Sequence, residues 1–213
     1  GAGGIEVGGG TSPATVSFAS GKYGQLAGGT PITIKANGTF SFANGSQGQA
    51  TGAISITGGT LTAINSSLGG FAGVGGNLTM TGGAVTGGGA LLFSGTRTLT
   101  TNASTTSAII SAPLTITNMS GATVNAGDAP HDLVVSGQVS GSRGLVKSGD
   151  GVLVLSTTHV NGNTYAPGAG TVGTTVSAGT LLVNNTNKSG TGTRAVSVGG
   201  GATLGGTCLL YTS

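Results

Sequence analysis

Residues 144–182 read GLVKSGDGVLVLSTTHVNGNTYAPGAGTVGTTVSAGTLL, and this pattern decides the fold. Short apolar runs such as Val152-Leu153-Val154-Leu155 are set among Ser and Thr. The tight turn Ser148-Gly149-Asp150-Gly151 precedes that run, and a polar corner from Asn161 to Tyr165 follows it. A closing strand at Thr174-Thr175-Val176 then leads into Ala178-Gly179-Thr180-Leu181-Leu182. Strands this short do not bury a face alone, so they must stack on copies of themselves.

Looser copies lie on both sides. Ile32-Thr33-Ile34 runs through Asn37-Gly38 to Thr39-Phe40-Ser41-Phe42. Ile54-Ser55-Ile56-Thr57 runs through Gly58-Gly59 to Thr60-Leu61-Thr62, and Leu78-Thr79-Met80-Thr81 through Gly82-Gly83 to Ala84-Val85-Thr86. These last two superpose without a gap, 24 residues apart. Leu114-Thr115-Ile116 with Gly121 to Val124, and Val196-Ser197-Val198 with Gly201 to Leu204, continue the series. Toward the N-terminus, Ile5-Glu6-Val7, Thr15 to Phe18 and Gly24-Gln25-Leu26 read as short strands between turns. A coil of roughly 20–25 residues holds three short strands and three turns. The expected architecture is therefore all-β: a single right-handed parallel β-helix (β-solenoid) over residues 1–207, its hand taken from the crossover rule. Ile54, Ile56, Leu61, Leu78, Met80 and Val85 should point inward as ladders, with Thr and Ser outside.

Composition agrees. The chain has 213 residues, 46 of them Gly, no Trp, and only 5% charged side chains, so helix formers are scarce. A hydrophobic fraction of 36% in regular short alternations argues against disorder. The net charge of +3 sets seven cations, Lys22, Lys35, Arg97, Arg143, Lys147, Lys188 and Arg194, against four carboxylates, and the cations are scattered in sequence. No run of cations matches a row of phosphates, so nucleic acid is not an expected partner. No run of 18 apolar residues exists to form a membrane-spanning helix. The pattern begins in mid-repeat without a cap, so the chain reads as a piece of a longer solenoid whose adjoining coils are its nearest partners and whose open ends make it prone to aggregate. Cys208-Leu209-Leu210-Tyr211-Thr212-Ser213 break the pattern and read as a non-native tail translated from sequencing-adapter DNA.

The stretch quoted first also resembles a known family. Gly144, Leu145, Lys147, Gly149, Gly151, Leu153, Leu155 and Ser156, then Asn163 and Tyr165, then Thr175, Val176, Gly179, Thr180 and Leu181, are spaced as in the autotransporter-associated β-strand repeat of bacterial surface proteins. The resemblance is clearest over 132–205, where Asp132 to Gly137 resembles the lead-in strand of such repeats. It departs from the family at Ala166 to Val172, which intervene between the Tyr and the Thr-rich strand. The resemblance implies a parallel β-helix, secretion to the cell surface of an outer-membrane bacterium, and a structural stalk displaying adhesive or catalytic parts encoded elsewhere. It gives Lys147 a structural place at the coil edge. A host-cell or glycan surface is the further partner it suggests.

Candidate chemistry is sparse. Asp128, His131 and Asp132 are one candidate for a metal or an acid–base pair, but Asp and Pro form turns, and neighbours on a strand point to opposite faces. The carboxylates are Glu6, Asp128, Asp132 and Asp150, and only Asp128 and Asp132 are close enough in sequence to suggest the pair a glycosidase needs. Lys147 and Asp150 make a possible pair in which Asp150 reads as a turn residue. Gly168 to Gly173 fits G-x-G-x-x-G without a following helix, which excludes a dinucleotide. His159 reads as an exposed turn residue, and the Asp-Gly pairs do not form a calcium-binding nonapeptide array. Thr-x-Thr pairs at Thr60/Thr62, Thr79/Thr81, Thr96/Thr98 and Thr115/Thr117 are either ordinary outward strand residues or a water-ordering face of the ice-binding kind. The expectation is a non-catalytic spacer without cofactor or metal; the rival readings are a carbohydrate-active β-helix enzyme and an ice-binding solenoid.

Overall fold

The computed structural model describes residues 3–18, 26, 28–42, 50–63, 72–74, 76–93, 96–117 and 119–207. The expected Cys208–Ser213 tail and most of the strand expected at Gly24–Leu26 lie outside them. Among the described residues every regular element is a strand, and apart from one isolated antiparallel bridge all strands pair in parallel. The chain is an all-β solenoid of about seven turns.

The strands fall on three faces. Face A carries nine: Ile5–Val7, Thr30–Lys35, Ala50–Thr57, Leu78–Thr81, Arg97–Thr101, Met119–Val124, Leu145–Ser148, Thr174–Val176 and Val196–Val198. Face B is a separate nine-stranded sheet, from Ala14–Ser17 through Val152–Leu155 and Thr180–Val183 to Thr203–Gly205. Face C holds Ala72–Val74, Leu91–Phe93, Leu114–Ile116 and Val139–Ser140. The long strand Ala50–Thr57 joins faces C and A, because Ala50 and Thr51 pair with Ala72–Val74 while Ile54 to Thr57 pair with Leu78–Thr81.

Alternation puts the aliphatic residues inside. One column on face A runs Ile5, Ile32, Ile54, Leu78, Leu99, Ala122, Lys147 and Val176, buried except for half-buried Ile5, and ends at the exposed Val198. A second runs Val7, Ile34, Ile56, Met80, Thr101 and Val124, and on face B a third runs from Val16 and Phe40 to Leu155 and Val183. The six residues expected to point inward are all buried. Near the N-terminus the core is wider: Phe18, Phe40 and Phe42 pack with centroids 5.3–5.5 Å apart. Outside, hydroxyls of successive coils meet, as between Thr123 and Ser148 at 3.1 Å and Thr62 and Thr86 at 3.3 Å.

Two expectations need refinement. Coil length along face A ranges from 21 residues (Leu78 to Leu99) to 29 (Lys147 to Val176), a wider spread than 20–25. The excess in the longest coil falls in the segment containing Ala166 to Val172, outside the paired strands, so register is untouched. Beyond Val139–Ser140, face C has no named strand, yet its backbone still stacks: Thr164 N donates to Val139 O at 2.8 Å and Asn163 N to Ser189 O at 2.8 Å.

Candidate functional site

The motif residues converge at the corner between faces A and B and inside the last coils. Lys147 departs from the reading that places it at the coil edge: its side chain is 0% exposed and occupies a rung of the aliphatic column, between Ala122 and Val176. Alternation forces this, since Leu145 and Lys147 share the inward face of their strand. The chain turns immediately afterwards, so the four-carbon stem fills the column while the ammonium reaches the turn. Nζ donates to the carbonyls of Ser148 at 3.1 Å, Gly149 at 2.6 Å and Ala178 at 2.9 Å. All three protons of an ammonium are thereby used. Two acceptors belong to its own coil and one to the next, so the side chain ties two corners together. Burial pushes the Lys147 pKa below its ordinary 10.5, and the negative charges of Asp150 and Asp132 only partly oppose that.

The glycines of the motif make room for this. Gly149 has φ +76° and Gly179 has φ +64°, and a Cβ on Gly179 would lie 2.5 Å from Gly149 O. Corners stacked this closely admit only glycine. Leu153, Leu155 and Leu181 are buried in the core beneath, while Thr180 is half-buried at the start of its strand.

Asn163 and Tyr165, expected in a polar corner, are both buried. Asn163 Oδ1 accepts from Val139 N at 2.8 Å and its Nδ2 donates to Gly190 O at 2.8 Å, spanning three coils where face C lacks strands. The Tyr165 hydroxyl lies 2.5 Å from Thr174 Oγ1, which itself donates to Thr191 O at 2.9 Å; the phenol therefore donates to Thr174. Burial raises the Tyr165 pKa well above the usual phenol range.

The acidic segment is a turn. Asp132 is buried, and its two oxygens accept from Gly127 N at 2.7 Å and Val152 N at 2.8 Å. Asp128 is exposed and His131 half-exposed. Among the described residues no three His, Cys, Asp or Glu side chains group as metal ligands, and the ion pair present joins Lys35 and Glu6 at 2.7 Å. His159 is exposed in a turn.

One surface feature was missed by sequence reasoning. A groove of about 580 Å³ runs along the edge where face C turns into face A, crossing four coils from Thr96 to Val172. Met119, Arg143 and Val146 lie along it, and the inserted segment Pro167–Val172 forms one wall. The signal was present in the sequence: Arg97, Arg143 and Arg194 are 46 and 51 residues apart, about two coils each.

Fold and site together define a parallel β-solenoid whose corners are fixed by buried polar side chains. Compared with protein-family profiles, curated proteins and solved structures, the chain has no match. Among the described residues no helix is long and apolar enough to cross a membrane.

Proposed function

We propose that this chain is a non-catalytic spacer segment of a secreted, surface-displayed protein of the autotransporter-like kind, stacked between further coils of the same polypeptide. The observation that carries this reading is the continuous parallel pairing of faces A and B across nine strands each, with register shifts on face A only at Arg97/Thr98 and Thr30/Ile32. Such a stack is stiff along its axis, because every rung is hydrogen-bonded to the next and the corners are clamped by Lys147, Asp132 and Asn163. The residue pattern of 144–182 supports the autotransporter context. Lys147, Asp132 and Asn163 spend their buried polar atoms on backbone partners, which favours a mechanical role over a chemical one.

The test has two arms. Placed between an outer-membrane anchor and an epitope, the segment should hold the epitope farther from the membrane by about 4.8 Å for each coil retained. Incubated with neutral and acidic polysaccharides, it should release neither reducing ends nor unsaturated products. Sustained turnover in the second arm would replace the spacer reading with that of a carbohydrate-active enzyme.

A further inference from the structure

We propose that the edge between faces C and A is a binding site for an acidic polysaccharide lying along the solenoid axis. Three of the seven cations stand along that edge: Arg143 and Arg194 are exposed, Arg97 is partly buried, and Arg143 lines the groove itself. Arg97 opens its face-A strand, and Arg143 and Arg194 each stand two residues before theirs. The strand of Arg97 pairs with Met119–Val124, which pairs with Leu145–Ser148; that strand pairs with Thr174–Val176, which pairs with Val196–Val198. Each arginine is thus two rungs from the next, about 10 Å along the axis.

The groove lies on the same edge, with Arg143 between its ends. Arg143 is exposed, and its Nε donates to Thr117 O at 3.2 Å, which orients the guanidinium. Among the described residues its two terminal amino groups have no hydrogen-bond partner, leaving a planar fork suited to a carboxylate or sulfate. No carboxylate lines the groove. Glu6 is paired with Lys35, and Asp128, Asp132 and Asp150 lie in the turns between faces A and B. Val146 from the strand and Val172 from the wall are both exposed on the groove, an apolar surface on which the C–H face of a sugar ring packs. The wall is preformed. Thr171 N and Oγ1 both donate to Gly168 O, at 3.2 and 2.5 Å, and Gly173 N donates to Ala195 O at 2.9 Å. A ligand entering here therefore pays little to order the loop.

The spacing selects the polymer. Phosphates along one nucleic-acid strand recur about every 3.4 Å, far more densely than these arginines, and among the described residues no aromatic ring lines the groove for a base to stack on. A polysaccharide charged on alternate sugars presents its anions at wider intervals and offers C–H faces between them.

The test is calorimetric titration of the 213-residue chain with two probes charged on alternate sugars, a hyaluronan oligosaccharide (carboxylate) and a κ-carrageenan oligosaccharide (sulfate), alongside neutral dextran. At least one acidic probe should bind and dextran should not; which one binds tells carboxylate from sulfate. R143Q should weaken binding about tenfold, and R143Q with R194Q further. K35Q, on another edge, should change it less than about twofold, and added salt should weaken it. Circular dichroism and melting temperature report whether the variants keep the fold, since both arginines are exposed. The proposal is overturned if neither acidic probe binds, if the folded double variant binds as wild type does, or if polyaspartate or single-stranded DNA competes equally well. Binding without cleavage leaves the spacer reading intact, so the two proposals fail separately.

Discussion

Replacing Lys147 tests the account of the interior most directly. Lys147→Ala removes the donor of three carbonyls and empties one rung of the column. Three carbonyls lose their charged donor, at a cost of about 1 kcal/mol or more each, and the lost stem adds a cavity term of about 2 kcal/mol. Lys147→Met keeps most of the stem volume. It loses the same hydrogen bonds and the same ammonium as Lys147→Ala but leaves little cavity, so it should be milder by about 2 kcal/mol. Equilibrium urea unfolding, followed by far-UV circular dichroism, measures both. The pH dependence gives a second, independent reading. The folded-state pKa is lowered, so between that value and 10.5 the unfolded chain binds the extra proton. Stability from this group therefore rises with pH across that window and levels off above 10.5. Lys147→Met should abolish that rise. The reasoning is refuted if Lys147→Ala unfolds within about 0.5 kcal/mol of wild type, or if the alanine variant is the more stable of the two.

Thr101 stands in a column of Ile, Met and Val, and its hydroxyl is buried without a partner, so Thr101→Val should raise stability by about 1–2 kcal/mol, visible as a higher urea midpoint. Asp132→Ala should destabilise by about 2–4 kcal/mol in the same assay, because Gly127 N and Val152 N both lose their acceptor. The Tyr165 phenol, with its raised pKa, should stay neutral in the folded chain while the unfolded chain ionises above 10. Stability contributed by this group therefore falls as pH rises past 10, and an ultraviolet titration should show one tyrosine ionising only on unfolding, a step absent in Tyr165→Phe.

The ladders were legible in the sequence because strict alternation at Ile54 and Ile56, or at Leu78 and Met80, has one meaning in a stack of short strands. Lys147 was legible as a motif member but not as a buried one. A charged residue reads as solvated until the third carbonyl that captures it, that of Ala178, arrives from the next coil. Asn163 and Tyr165 misled in a similar way: polar types suggest a wet corner, whereas Val139 and Gly190, the partners of Asn163, come from other coils, and Thr174 meets Tyr165 from the next face. The arginines looked scattered because sequence distance hides a spacing of two turns. Once coil length is known, Arg97, Arg143 and Arg194 fall on one edge without further assumption.

The unequal coil lengths carry a consequence for how such a chain changes over time. From Lys147 to its partner Val176 the chain takes 29 residues to complete a coil, against 21 from Leu78 to Leu99, and the ladders on either side keep phase. Extra residues are extruded sideways at a corner and never accumulate along the stack. The molecule can therefore acquire new surface one loop at a time, as it has at Pro167–Val172, while the scaffold beneath keeps its pitch.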